Sequence, residues 1–238
     1  MVKYLGGKWT IAKKIADYIK ANSTYDTFFS PFCGSLAVEN QFCDYPRILN
    51  DIMPDLIMFW EAYKDGSFIP EPVSEHDYYI LKYEKSSPRR GFSGFFLSYN
   101  GKWFGGYLKN GKTRNRDFFQ EAIKSLQKIK LNNTIFHNKS YTEFNPVNQL
   151  IYVDPPYKGT TKYTHEIDYD IFWNTMRKWS ENNEVFISEY QAPDDFICVL
   201  EIPTRSSLAN AKRIEKLFKF KTILFYSPQR GDYPLSVE

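Results

Sequence analysis

Asp154-Pro155-Pro156-Tyr157 follows the apolar run Leu150-Ile151-Tyr152-Val153. Two successive prolines after a buried strand impose an extended, rigid turn and remove two backbone donors. What remains is a group of acceptors, the Asp154 carboxylate and backbone carbonyls, beside one aromatic ring. That set suits an exocyclic amine of the adenine kind, whose lone pair is delocalised into the ring and is a poor nucleophile. Hydrogen bonds from both amine protons, to Asp154 and to the Pro155 carbonyl, let the nitrogen pyramidalise and localise that pair. Charge developing on the amine then meets acceptors already in place. Tyr157 would hold the purine face to face once the base has left a duplex. A surface turn is the competing reading, because Asp-Pro and Pro-Pro both punctuate loops. The buried strand in front of the motif favours chemistry.

Elements of two periodicities must position these residues. Ile11, Ile15 and Ile19 share one face of a helix predicted over 9–20. Further helices are predicted over 34–42, from Pro54 in the first turn to Lys64, over 115–130 and over 168–180. Short apolar runs at 27–29, 47–49, 134–136, 150–153 and 185–188 read as strands, with 222–226 as a closing antiparallel strand. Strands alternating with helices predict an α/β chain built on a doubly wound, mainly parallel sheet. Ligands of such sheets lie outside the carboxyl ends of the strands, near the switch point. The segment Ser30–Ser35, Asp51 and Asp154 each follow a strand and so converge on one site.

The chain has 238 residues, 42% hydrophobic and 25% charged, the composition of an ordinary globular protein. Three scattered cysteines (Cys33, Cys43, Cys198) without a CxxC pair disfavour a disulfide framework and a zinc ribbon. Three isolated histidines (His76, His137, His165) offer no metal triad, so no metal is expected. The amino terminus has no apolar signal core, and no run of about 18 apolar residues offers a membrane span. A cytoplasmic, reducing location is the expectation.

A net charge of only +3 hides an asymmetry. Residues 81–130 hold twelve basic and three acidic residues, a net of +9, which leaves −6 on the other 188. This pattern points to a polyanion-binding insert on an acidic scaffold, against the plainer reading of a solvated helix face. Turn signals recur inside it at Asn100-Gly101, Gly105-Gly106 and Asn110-Gly111, as in hairpins and loops. Lys102, Lys109, Arg114 and Arg116, interleaved with Trp103, combine phosphate contact with base stacking. The predicted division is a catalytic domain of 1–65 and 134–238, with 66–133 as an inserted target-recognition domain.

Asp154-Pro155-Pro156-Tyr157 resembles the catalytic motif of amino-methyltransferases acting on DNA. Tyr4-Leu5-Gly6-Gly7-Lys8, Ser30-Pro31-Phe32-Cys33-Gly34-Ser35 and Asn50-Asp51-Ile52 with Asp55-Leu56 resemble three further motifs of the Dam-type adenine-N6 DNA methyltransferase family. Their order matches as well, and Val185–Tyr190 looks like the family's phage branch. The resemblance implies a Rossmann-like methyltransferase sheet with helices on both faces and a small helical/hairpin DNA-recognition insert. It also implies double-stranded DNA as partner and S-adenosylmethionine as donor. No obligatory protein partner is implied. On that likeness Gly6 and Gly7 admit the cofactor, Lys8 meets its carboxylate, and Tyr4 lies flat beside it. Phe32, Cys33 and Gly34 form the turn under its methionyl part, with Phe32 facing the sulfonium. Asp51 accepts from the ribose hydroxyls, and Asp154 serves both donor and target.

The sequence departs from that pattern in three places. Ser30 stands where many members carry Glu. Gly34-Ser35-Leu36 replaces a run of glycines, and Phe104-Gly105-Gly106-Tyr107 matches the insert only in part. Cytosine-N4 methylation, a catalytically impaired DNA-binding module and an RNA-modifying enzyme stay open as alternatives.

Overall fold

The apolar runs assemble into a seven-stranded sheet in a computed structural model, which describes residues 7–109, 116–157, 167–205 and 212–221. Strands β1 (Phe28–Ser30), β2 (Arg47–Asn50), β3 (Thr134–His137), β4 (Leu150–Val153) and β5 (Glu184–Glu189) run parallel. β6 (Phe196–Arg205) and β7 (Lys212–Phe220) form an antiparallel hairpin, and β7 inserts between β5 and β6. The spatial order is β3-β2-β1-β4-β5-β7-β6. The chain builds outward from β1 to β3, then returns to lay β4 on the other side of β1. The switch point therefore falls between β1 and β4, the place where doubly wound sheets hold their ligands.

Strand periodicity decides which face each side chain takes. Phe28, Leu150, Tyr152 and Phe186 face a core shared with Ile15 and Ile19 of helix α1 (Ala12–Ala21) and Phe59 and Trp60 of α2 (Pro54–Asp65). Their sequence neighbours Phe29, Ile151, Val153 and Ile187 face a second core with Phe172, Met176 and Trp179 of α6 (Tyr169–Ser180). Both faces of the sheet are covered, which is why its strands read as continuous apolar runs.

The segment after α2 carries three helices joined by turns and loops. α3 (Glu75–Leu81) is capped by the Ser74 hydroxyl, which accepts from Asp77 N at 3.0 Å. The Ser87 hydroxyl likewise caps α4 (Pro88–Phe96), accepting from Arg90 N at 3.1 Å, with Pro88 in its first turn. α4 lies against α2 through Gly91, where a Cβ would come 2.0 Å from the Asp55 carbonyl oxygen. Arg90 pairs with the Asp55 carboxylate at 2.6 Å across the same contact. Phe92 and Phe96 meet Phe59 with ring centroids 5.8 and 4.9 Å apart. A hairpin-like return survives only at the Ser98–Tyr107 bridge around a tight turn over Tyr99–Gly101. α5 (Phe118–Leu126) begins at the Asp117 cap, later than the stretch of 115–130 predicted.

Two other expectations change. Only Glu39–Phe42 is helical within 34–42, as a single 3₁₀ turn. Gly34 (φ 46°) and Leu36 (φ 61°) occupy the left-handed region, which interrupts a helix at its start. The β6–β7 hairpin fills a stretch for which no element was predicted, and the predicted strand at 222–226 lies outside the described residues. No helix among the described residues is long and apolar enough to cross a membrane.

Candidate active site

Asp154 leaves the carboxyl end of β4, next to the turn that follows β1. Lys8 reaches it from the start of α1, where the Lys8 carbonyl accepts from Ile11 N and Ala12 N at 2.9 and 2.7 Å. With its backbone fixed there, Lys8 Nζ donates to Asp154 Oδ1 at 2.8 Å and lies 3.3 Å from Glu215 Oε1. The same ammonium sits 4.5 Å from the centroid of the Tyr157 ring. The Tyr157 hydroxyl donates to Glu215 Oε1 at 2.5 Å, and Tyr190 meets the Tyr157 ring edge-on at 4.7 Å. Tyr169 donates from its hydroxyl toward the Pro156 carbonyl at 2.6 Å, with Glu189 Oε1 at 3.0 Å as its other acceptor. The proline turn is thus held from α6 and β5 together.

Burial and charge set the protonation states. Burial raises the Asp154 pKa to about 6, against Lys8, which favours the carboxylate, and with Glu215, which opposes it. At neutral pH Asp154 is ionised. Burial disfavours the Lys8 ammonium, yet Asp154 and Glu215 outweigh burial and raise its pKa above the ordinary value.

A second buried acid stands behind this group. The Ser30 hydroxyl donates to Glu39 Oε1 at 2.9 Å, and Arg47 Nη1 donates to the Glu39 carbonyl at 3.0 Å. Burial pushes the Glu39 carboxyl up to about 8, its own backbone and Ser30 offset this in part, and nearby Asp154 adds to it. Burial, then Asp51 and Glu39, push the Cys33 thiol up, so Cys33 is a packed side chain and not a thiolate nucleophile.

Hydrogen bonds lock the turn after β1. Asp51 accepts from Gly34 N at 3.1 Å and from Met53 N at 3.0 Å. Trp60 Nε1 donates to the Gly34 carbonyl at 3.0 Å, and Trp9 Nε1 to the Ser35 hydroxyl at 3.2 Å. Asn50 ties the turn to the loop after β3, donating to the Pro31 and Lys139 carbonyls at 3.0 Å each. Phe32 is half-buried between Tyr141 and Phe172, with centroids 5.3 and 6.4 Å away. The side chains around this turn fit a donor that carries positive charge. Asp51, Asp154 and Glu215 supply three carboxylates, and Lys8 is a buried cation already paired to two of them.

The structure brings together Lys8, Asp154, Pro155, Pro156 and Tyr157, and it sets Phe32, Cys33, Gly34 and Asp51 in the adjoining turn. Gly7 is exposed beside Lys8, while Tyr4 and Gly6 lie outside the described residues. The residues expected to touch DNA lie in the segment between α2 and α5. Lys102 is exposed there. Trp103 packs against Phe95 and Phe104 at 4.6 and 4.7 Å, with the Arg90 guanidinium 5.0 Å from its ring, so its first role is packing. Lys109 pairs with Glu75 at 2.9 Å and Arg116 with Glu121 at 2.5 Å, while Arg114 lies outside the described residues. Sequence reasoning missed Glu39, Glu215, Tyr169 and Tyr190. Glu39 had a signal, a lone acid ending the run Leu36-Ala37-Val38. Glu215 had none, because it sits among charged neighbours in a strand that was not foreseen.

Several solved methyltransferases align with this chain at low identity, with TM-scores below 0.5. The N-methyltransferase NodS from Bradyrhizobium japonicum is 7% identical, with a TM-score of 0.43 over 90% of this chain and 98% of that one. The magnesium protoporphyrin IX methyltransferase of Synechocystis, solved with bound SAM, is also 7% identical, with a TM-score of 0.42 over 89% and 77%. An rRNA methyltransferase, aviRa, from Streptomyces viridochromogenes is 9% identical, with a TM-score of 0.40 over 88% and 83%. No curated protein sequence matches. The family comparison is specific: residues 4–103, which carry three of the four motifs, match the model of the D12 class N6 adenine-specific DNA methyltransferases. Over these 100 of the 238 residues the chain is similar to the D12 class N6 adenine-specific DNA methyltransferases.

Proposed function

We propose that this protein methylates the exocyclic amine of a flipped adenine at specific sites in duplex DNA. The observation that carries the reading is the half-buried Asp154 carboxylate at the β1–β4 switch point, held 2.8 Å from Lys8 Nζ and followed by the proline turn and Tyr157. S-adenosylmethionine, when bound, supplies an electrophilic methyl group on a sulfonium. Asp51 would accept from its hydroxyl groups, while Phe32, Cys33 and Gly34 would form the wall beneath it. Asp154 and the Pro155 carbonyl accept the two protons of the target amine. Asp154 would face the charge that grows on the methylated nitrogen and would accept its surplus proton. Tyr157 supports the base plane. The basic segment 66–133 acts as the target-recognition part, with Lys102, Lys109, Arg114 and Arg116 on phosphates.

Incubating duplex DNA with tritium-labelled donor, then identifying the labelled nucleoside, tests the reading. Label in N6-methyladenine is the expected result. Label in cytosine overturns the choice of base, and label in RNA or single strands alone overturns the choice of partner.

A further inference from the structure

We infer that Glu215 is a positioning residue for the transfer: it receives the Lys8 ammonium when a target amine takes that cation's place on Asp154. The inference rests on the adenine reaction proposed above. Lys8 Nζ occupies both positions that the base requires, 2.8 Å from Asp154 Oδ1 and 4.5 Å from the centroid of the Tyr157 ring. A planar base lying on that ring with its amine on Asp154 must move the ammonium away from both. The Lys8 side chain is only 6% exposed, and a buried cation stripped of its counter-ion is strongly disfavoured. Glu215 Oε1 already stands 3.3 Å from Nζ, with a side-chain exposure of 12%. The ammonium can therefore change partners through side-chain torsions without ever leaving a carboxylate. Lys8 and the two acids keep the same total charge through the exchange.

The fold accounts for why this acid comes from so far along the chain. β7 runs antiparallel to β5 with Lys216 opposite Glu189, so residue 215 arrives at the carboxyl end of β5, beside the end of β4. Its carboxylate also accepts the Tyr157 hydroxyl at 2.5 Å. One group thereby sets the ring that supports the base and holds the cation that must make way for it.

The test uses the full chain and three variants: Glu215→Gln, Glu215→Asp, and Lys8→Met combined with Glu215→Gln. Sequencing for N6-methyladenine after wild-type methylation maps the recognition site, and 2-aminopurine then replaces the target adenine in a duplex. Wild type should bind this duplex with a rise in fluorescence as the base leaves the stack. Glu215→Gln should bind it with unchanged affinity, show no such rise, and turn over about a hundredfold more slowly. Glu215→Asp should restore part of both signals. The double variant, with no ammonium to relocate, should regain the fluorescence rise, which a merely structural role for Glu215 would not produce. Wild-type turnover and fluorescence in Glu215→Gln overturn the inference, and so does a double variant as dark as the single one. If wild type leaves adenine unmethylated, the adenine reading itself fails and this inference falls with it.

Discussion

The Ser30 hydroxyl donates to the Glu39 carboxyl at 2.9 Å, joining the end of β1 to a buried acid nine residues later. Likeness to the adenine methyltransferases led to an acid being expected at position 30 itself. Here the acid stands within hydrogen-bond reach of that position, supplied by a 3₁₀ turn that Arg47 ties down through its backbone.

Glu39 makes stability depend on pH. Its folded pKa of about 8 lies above the ordinary value of 4.5, so the folded state holds a proton that the unfolded chain releases. The associated stability is full below 4.5 and is lost as pH rises toward about 8. The loss is at most about 1.4 kcal/mol per pH unit for one group. Melting curves between pH 5 and pH 9 should shift downward for wild type, and Glu39→Gln should flatten that trend.

Asp154 should govern the acid limb of activity. The ionised form accepts the amine protons, so kcat should rise with pH through about 6. Asp154→Asn should lower kcat by about two to three orders of magnitude and remove that limb, while duplex binding stays measurable. A pH–rate profile of both proteins checks this, and a variant with wild-type turnover would remove Asp154 from the reaction.

Gly91 should be intolerant of any side chain. A Cβ there would lie 2.0 Å from the Asp55 carbonyl oxygen, so α4 must move off α2 to accept it. Gly91→Ala should cost about 2 kcal/mol, read as a lower denaturant midpoint. A Cβ on Gly66 would meet no atom within 4 Å, but the backbone there sits at φ +78°. Gly66→Ala should therefore cost only about 1 kcal/mol, from backbone strain alone.

DNA affinity should separate the basic residues by their partners. Lys102→Glu should weaken duplex binding and reduce the slope of log K against log salt by about one. Arg116→Glu should do less, because Glu121 already pairs with that guanidinium at 2.5 Å. Titrations at several salt concentrations distinguish the two, and equal effects would mean that the Arg116–Glu121 pair opens on DNA.

The parallel half of the sheet was legible because its strands are buried on both faces. Leu150–Val153 and Val185–Ser188 carry runs of apolar residues bounded by turns, and Asp154 follows the first of them directly. The hairpin was not legible for the converse reason. Five of the nine residues of Lys212–Phe220 are charged and they do not alternate with the apolar ones, a composition that strands usually avoid, and Pro203 interrupts the edge strand where a missing donor does no harm. The helix α4 was not foreseen, because Gly91 and Gly94 lower the helical propensity of its short sequence. They serve close packing instead: a Cβ on Gly94 would meet Trp103 at 2.3 Å. At the site, contiguous motifs pointed to Lys8, Asp154 and Tyr157. The groups that complete them, Glu39 and Glu215, depend on a local backbone reversal at Leu36 and on strand register, neither of which short spacing encodes.

The insertion of β7 between β5 and β6 has a consequence for synthesis. A nascent chain that has emerged only through β5 can already pair β1, β4 and β5, and so can place Asp154. It still lacks Glu215 and leaves the far edge of β5 open, with Phe186 and Ile187 beside unpaired backbone groups. β7, made after both of the strands it joins, therefore covers that exposed edge and completes the site in the same step.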